Sequence, residues 1–476
     1  MLYVGSLIAI LAISNSGCIC FLLNTNDEYQ VWLTTGDMTK KLNREPSCMV
    51  TNNHHGYSVW VDRNKRRQTI DGFGAALSNS AAYVLFHSPN RHVIMRDLFG
   101  TDENQLGVSY LRLVMGASDL MAVDAYTYDD LANSRDTDFN MSHFTIQKDK
   151  DFVIPVLKEA LVINPSLTIL ASPWSSPAWM KMSHKLFGGD FNNGQQYMNA
   201  YALYFVKFIE AYQTEGIHID AITIQNEPLL SRDDYPTMNM NLDVTKAFIR
   251  DHIGPMFRKR NINTKILVWD FNWSGAWFPE ALVNDGAVKQ YIGGVAWHGY
   301  DGRHDAPDAF HTKHPDVDNY FTEFSGGGWD GGNFSALLTS FTRLIFIGQT
   351  KSWSKNVLLW NLALDEHNGP HYHVGGCGNC RGVITVPSGG GYSKNVEYYA
   401  MGHMSRFVKP GAVRLETNNF GWDELQAVAF VNLDGTTVIV VQNPNTSRPA
   451  SFSLDIDAKH YQYNNLPPQS VVTFVK

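Results

Sequence analysis

Five cysteines in 476 residues are too few for a disulfide-stapled scaffold, and no low-complexity stretch or internal repeat marks a linker, solenoid or fibre. Cationic excess is also missing: 38 Lys and Arg face 46 Asp and Glu, a formal net charge of -8. A mildly acidic chain has no electrostatic case for nucleic acid as a partner, and the short run Arg63, Lys65, Arg66, Arg67 reads as a solvated turn. Beyond the N-terminus, no apolar run is long enough to span a bilayer.

What is present is a globular composition, 44% hydrophobic and 12% aromatic, with ample material for a large core. The opening "MLYVGSLIAILAISNSGCIC" has an apolar core from Leu7 to Ile13 followed by small residues, the pattern of a cleaved signal peptide over residues 1–20. Secretory passage would suit the four Asn-x-Ser/Thr sequons at Asn140, Asn272, Asn333 and Asn445, and predicts an extracellular or lysosomal location. Cys48 is unpaired unless Cys18 or Cys20 survives processing.

From about residue 68 to 400, strand-like runs alternate with helical patterns. The strand candidates are 68–71, 109–114, 167–172, 221–225, 265–270, 294–298, 320–322 and 357–360. Between them, "QQYMNAYALYFVKFIEAYQ" places Tyr201, Phe205, Phe208 and Tyr212 at three- and four-residue spacing, one face of an amphipathic helix. Eight near-continuous apolar strands alternating with helices predict an α/β fold, a (β/α)8 TIM barrel. Residues 401–476 change character: "AVAFVNLDGTTVIVVQN" is two strands joined by Asp434-Gly435, and "ASFSLDI" and "SVVTFVK" add two more. With "YQVWLTT" and "YSVWVD" from residues 21–67, they predict a small, discontinuous antiparallel β-sandwich beside the barrel.

Barrel chemistry gathers where strands finish. The fourth strand ends "ITIQNEP", with Asn226 and Glu227; the seventh ends in Glu323. Arg112 and Asp119 follow the second strand, Trp174 and Trp179 the third, His298 and Tyr300 the sixth, and Trp360 the eighth. Taken singly, each has a plain structural role open to it: a salt-bridge partner, a core tryptophan, a buried ion pair. Together they put two carboxylates opposite each other among aromatics and amides. Retaining glycoside hydrolysis needs such a pair about 5 Å apart, one protonated and one ionised, with aromatic faces for the sugar ring. On that reading Glu227 is the acid/base and Asn226 holds the 2-hydroxyl.

These residues resemble glycoside hydrolase family 30, the family of lysosomal glucosylceramidase and microbial endo-β-1,6-glucanases. The matching motifs run in order as "IDGFGAALSNSAA", "LRLVMGASDL", "ILASPWSSPAWMK", "TIQNEP", "GVAWHGY", "FTEFSGG", "WNLALDEHNGP" and "YYAMGHMSRFVKPGAVRL". The resemblance implies a barrel with a side β-domain, and double displacement with no cofactor or metal. It implies Glu227 as acid/base and Glu323 as nucleophile. It also implies Arg112, Asp119, Trp179, Asn226, His298, Tyr300 and Trp360 around the sugar, with Tyr300 and Arg112 keeping the nucleophile ionised.

Two loops separate the substrate alternatives. Residues 229–240 after Glu227, and the loop "HNGPHYHVGGCGNC", look closer to the β-1,6-glucanase type. The Cys377-x-x-Cys380 pair is expected as a local disulfide; zinc held with His371 and His373 is the lesser alternative. The leading expectation is a β-glucosidase of glucosylceramidase type, with peripheral membrane contact if the substrate is a lipid. The alternatives are a secreted endo-β-1,6-glucanase and an inactive carbohydrate-binding glycoprotein, the last predicting a lost glutamate that the chain does not show.

Overall fold

The computed structural model describes residues 27–52, 55–372 and 375–476. The expected signal peptide, Cys18, Cys20 and His373 lie outside the described residues. No helix among those described is long and apolar enough to cross a membrane.

The centre of the molecule is a closed, eight-stranded parallel barrel. Its strands are Gly72–Leu77, Tyr110–Val114, Thr168–Ser172, Ala221–Thr223, Lys265–Asn272, Gly294–His298, Asn319–Glu323 and Ser354–Leu364. Each pairs with the next, and the eighth closes the ring on both the first and the seventh. The expected first strand at 68–71 is displaced: Gln68 and Thr69 end a long sandwich strand, Tyr57–Thr69, and the barrel begins in "GFGAAL". Gly74 accounts for the displacement. A Cβ there would lie 1.9 Å from the Tyr110 carbonyl, so close strand packing demands a residue with no strand propensity of its own.

Inside the ring, side chains stack in layers. The lower layer is apolar, with Tyr110, Leu170, Ala221, Leu267, Ala296, Tyr320 and Leu358 in one cluster. Two residues further along most of these strands, on the same face, stand Arg112, Ser172, Thr223, His298, Thr322 and Trp360. The polar layer therefore rests on an apolar floor. Outside the ring, helix Gln195–Thr214 buries Tyr201, Phe205, Phe208 and Tyr212, the stripe read from its spacing.

The side domain is a nine-stranded sheet assembly in which the N-terminal strands Glu28–Thr34 and Tyr57–Thr69 pair with C-terminal ones. Asp434 and Gly435 turn the hairpin between Gln426–Val431 and Thr437–Asn443, with Gly435 at φ 89°. Strands Asn43–Met49, Val413–Thr417 and Lys459–Leu466 join without a strong apolar alternation to announce them. His403, on helix Val396–Ser405, ties the two parts together. Its ring nitrogens lie 2.8 Å from the hydroxyls of Thr34 and Thr473, and burial holds the imidazole neutral, its pKa pushed down to about 3.

Leu267→Ala should test the floor. Deleting a fully buried leucine there should cost about 2–5 kcal/mol, read as a lowered Tm by calorimetry. Hydrolysis per folded molecule should stay near wild type, because the polar layer above is left in place.

Candidate active site

The charged layer is organised by Arg112, whose side chain is wholly buried. Its Nε donates to Ser172 Oγ at 3.1 Å. Nη2 donates to Asn226 Oδ1 at 2.8 Å and to Asp270 Oδ2 at 2.7 Å, and Nη1 donates to Glu323 Oε2. The guanidinium lies over the indole of Trp174, 4.7 Å from the ring centre, and that indole stacks on Trp360, ring centres 4.9 Å apart. Burial works against the cation, but Asp270 and Glu323 outweigh it and raise its pKa.

Glu323 receives a second donor, the Tyr300 hydroxyl, at 3.0 Å from Oε1. Glu227 sits across the cavity. Carboxylate oxygens of Glu227 and Glu323 and a ring nitrogen of His298 all lie within 4.8 Å of one another. His298 bridges: Nδ1 is 3.2 Å from Glu227 Oε1 and Nε2 is 3.1 Å from Asp270 Oδ1. With both ring nitrogens committed to carboxylates and Glu323 held by Arg112 and Tyr300, the cluster is a proton-sharing network rather than a set of vacant metal ligands.

Charge balance assigns the protons. Burial alone would lower the His298 pKa, but Glu323, Asp270 and Glu227 raise it to about 9, so the imidazole is a cation at neutral pH. Burial opposes ionisation of Asp270 as well; Arg112, His298 and Thr223 overcome it and hold this carboxyl far below the usual range. Two cations thus offset Asp270 and Glu323. A third carboxylate would be uncompensated, and Glu227 is accordingly raised, by burial first and by Glu323, against the pull of His298. Asp119 is pushed up to about 7 by burial and by Glu323.

Local backbone places these groups. The fourth strand stops at Thr223, and Glu227 adopts φ 50°, a left-handed conformation rare for a residue with a side chain. The Asn226 and Glu227 amides donate to the carbonyls of Pro173 and Asp270 at 2.8 and 3.0 Å, fixing the turn to both neighbouring strands. Since Arg112 occupies Asn226 Oδ1, the amide nitrogen is the group left to donate.

Above the network opens a cleft of about 360 Å³ lined by Glu227, Glu323, Asp119, Tyr300 and Trp360, with Arg232, Tyr235, Trp329 and the Cys377–Cys380 disulfide at its rim. The disulfide takes both sulfurs of the pair that zinc would have needed. Its loop is stitched to the strand ends: Gly328 N–H donates to Asn379 O and Arg381 N–H to Gly326 O, each at 2.8 Å, and Cys377 N–H donates to Asp119 Oδ2 at 3.1 Å. Asp119 Oδ1 is buried with no partner among the described residues, which leaves it free to accept from a hydroxyl.

Most of the residues singled out in the sequence come together here. Trp174 does so packed against the Arg112 guanidinium and the Trp360 ring. Trp179 does not. It is turned into the barrel-wall core, its indole N–H bonded to Asp129 and its ring against Phe139 and Tyr197, so its assignment to the sugar site is corrected. Asp270, Arg232, Tyr235 and Trp329 were not singled out. Asp270 carried the same signal as Glu227, a carboxylate closing a strand. Of the sequon residues, Asn140 and Asn333 are exposed, Asn445 bonds its own turn, and half-buried Asn272 accepts the Tyr300 N–H at 3.1 Å.

The fold is that of a known enzyme family. A model of the glycosyl hydrolase family 30 TIM-barrel domain matches residues 70–408, and one of the family 30 beta sandwich domain matches residues 411–474. The chain belongs to glycosyl hydrolase family 30. This family 30 chain is 34% identical over 433 residues to an endo-1,6-beta-D-glucanase of Aspergillus fumigatus, covering 86% of this chain and 85% of the relative. It is 32% identical over 440 residues to a putative glucosylceramidase 2 of Caenorhabditis elegans, covering 87% and 82%. A solved endo-beta1,6-glucanase superposes with a TM-score of 0.86 at 31% identity, covering 94% of this chain and 98% of that one. The chain is a glycoside hydrolase.

The raised His298 pKa has a consequence for stability. A folded value near 9 lies above about 6.5 in an unfolded chain, so the folded state binds more protons in between. The stabilisation is fully present below about pH 6.5 and is lost as pH rises through 9. His298→Gln should flatten that decline, measured as the slope of denaturant-derived stability between these two pH values.

Proposed function

We propose that this enzyme is a retaining endo-β-1,6-glucanase, cleaving internal glucosidic bonds of a β-1,6-linked glucan by double displacement. The observation that carries the substrate choice is the cleft lining: among the described residues none of its side chains is aliphatic. A ceramide would need an apolar entrance, whereas a glucan needs polar groups and aromatic faces. Trp329, 55% exposed at the rim, and Arg232, whose guanidinium lies 5.5 Å over Tyr235, supply those beyond the bond to be cut. Identity to curated endo-1,6-beta-glucanases supports the same reading, above the leading sequence expectation of a glucosylceramidase. The mouse lysosomal acid glucosylceramidase is 27% identical over 420 residues. A disulfide on the rim suits an oxidising, extracellular setting.

Carboxylate oxygens within 4.8 Å match the short separation of retaining enzymes rather than the wider spacing at which inverting enzymes place a water between acid and base. Glu323, held as a carboxylate by Arg112 and Tyr300, attacks the anomeric carbon. Glu227 gives its proton to the leaving oxygen, and a glucosyl ester forms on Glu323. Glu227, now ionised, takes a proton from an incoming water, whose oxygen bonds to the anomeric carbon and releases Glu323. Ionised Glu227 is stabilised during this half by the His298 cation at 3.2 Å. Asn226 donates to the 2-hydroxyl and Asp119 accepts from a hydroxyl farther round the ring.

Glu323→Gln should lower turnover on the order of 10⁴-fold or more and still fold, since Arg112 keeps Asp270 and Asn226; wild-type turnover would remove Glu323 from the mechanism. Glu227→Ala should slow both steps, and azide should restore the second as a glucosyl azide, because a small anion needs no general base.

The substrate is tested by incubating the enzyme with a linear β-1,6-glucan and, separately, with glucosylceramide in detergent. Oligosaccharides from the glucan are expected; glucose from the lipid with an untouched glucan would reverse the assignment.

A further inference from the structure

Sharing no lining residue with the catalytic cleft, a second cavity of about 380 Å³ opens at the seam between barrel and sandwich. The helical turn Phe341–Ile347 contributes Arg343 to it, the adjoining Gly348–Lys351 contributes Lys351, and sandwich strand Val413–Thr417 contributes Arg414. Trp353 and Trp422 line it too, but each indole is already in use. His311 stacks on Trp353 at 3.8 Å with Arg414 at 5.2 Å, and His304 stacks on Trp422 at 5.0 Å with Arg343 at 4.0 Å. A sugar ring would have to displace one of these groups, so the cavity is not built as a saccharide platform.

Its charges are unevenly matched. On the acidic side, Glu416 accepts from Arg67 at 2.6 Å, Asp305 is gripped by Arg303 at 2.6 and 3.0 Å, and Asp308 accepts the Trp353 N–H at 3.1 Å. The cations are less well served. Lys351 Nζ reaches only carbonyls, that of Ala427 at 3.2 Å. Arg414, 5% exposed, spends Nε on Gln68, and its terminal nitrogens have no partner among the described residues. Arg343 gives Nη1 to the Trp422 carbonyl at 3.2 Å and lies 3.6 Å from the solvent-facing carboxylate of Asp423, while its Nε is buried with no partner among the described residues. Burial and the neighbouring Arg414 charge lower the Lys351 pKa to about 8, against the pull of Glu416.

We propose that this seam cavity is a binding site for a small oxyanion ligand, a phosphate or carboxylate group held between Arg343, Lys351 and Arg414. Guanidinium and ammonium donors on a partly enclosed, low-dielectric wall suit a compact anion with several acceptor oxygens. Because Arg343 and Lys351 belong to the barrel side and Arg414 to the sandwich, such a ligand would clamp the two parts and stabilise their junction.

The experiment is thermal unfolding of the full chain with sodium phosphate or sodium malonate, each against sodium chloride at equal ionic strength. At least one oxyanion should raise Tm by about 2–4 °C. Arg343→Gln and Lys351→Met should each remove half or more of that rise while leaving glucan hydrolysis unchanged. Arg343 is partly exposed, so its variant keeps the test available if Lys351→Met does not fold. A rise with phosphate alone supports a phosphoryl ligand, and one with malonate alone a carboxylate. No rise with either anion, or an undiminished rise in the variants, overturns the site.

Discussion

Everything at the mouth of this barrel depends on one buried cation. Arg112 is enclosed on all sides, and its donors reach four strand ends at once: Ser172, Asn226, Asp270 and Glu323. Removing one partner of such a buried ionic group costs about 3–5 kcal/mol, because the other is left uncompensated. That cost makes the arrangement stiff. It holds Glu323 in place, and it puts a ceiling on how many carboxylates nearby can be charged together. The raised pKa of Glu227 is the other face of the same accounting: Arg112 and His298 match Asp270 and Glu323, and no cation is left over.

The strain in the site is local and sits where the chain must leave barrel geometry. Glu227 and Asp270 both take positive φ, 50° and 53°, and the amide of the first bonds the carbonyl of the second. Neither residue is glycine, so each left-handed turn costs on the order of 1–3 kcal/mol, met by the rigid ring below. The apolar floor of Leu267 and its neighbours is therefore a requirement of the chemistry as well as of stability. It is the platform from which two adjacent strands bend toward each other.

How legible this was in the sequence depended on whether regular periodicity held. Strand ends with "NEP" and "TEF" announced Glu227 and Glu323 because carboxylates after apolar runs are unusual, and the helix stripe from Tyr201 to Tyr212 obeyed ordinary spacing. Where periodicity broke, sequence reasoning broke with it. Alternation from Leu267 would point Trp269 inward; a register shift beside Phe271, with Trp269 at φ 79°, sends Trp269 outward and brings Asp270 in. The first strand hid because its work is done by glycine and alanine. Trp179 misled because an aromatic after a barrel strand serves core and rim equally well, and only its bond to Asp129 decides.

The central claim is a proton inventory: His298 carrying two, Glu227 one, Glu323 and Asp270 none. Neutron diffraction from a deuterated crystal at neutral pH reads that inventory directly. Nuclear density for deuterium is expected on both His298 nitrogens and on a Glu227 oxygen, with Glu323 and Asp270 bare. A singly protonated His298, or a bare Glu227 beside a protonated Glu323, would contradict it.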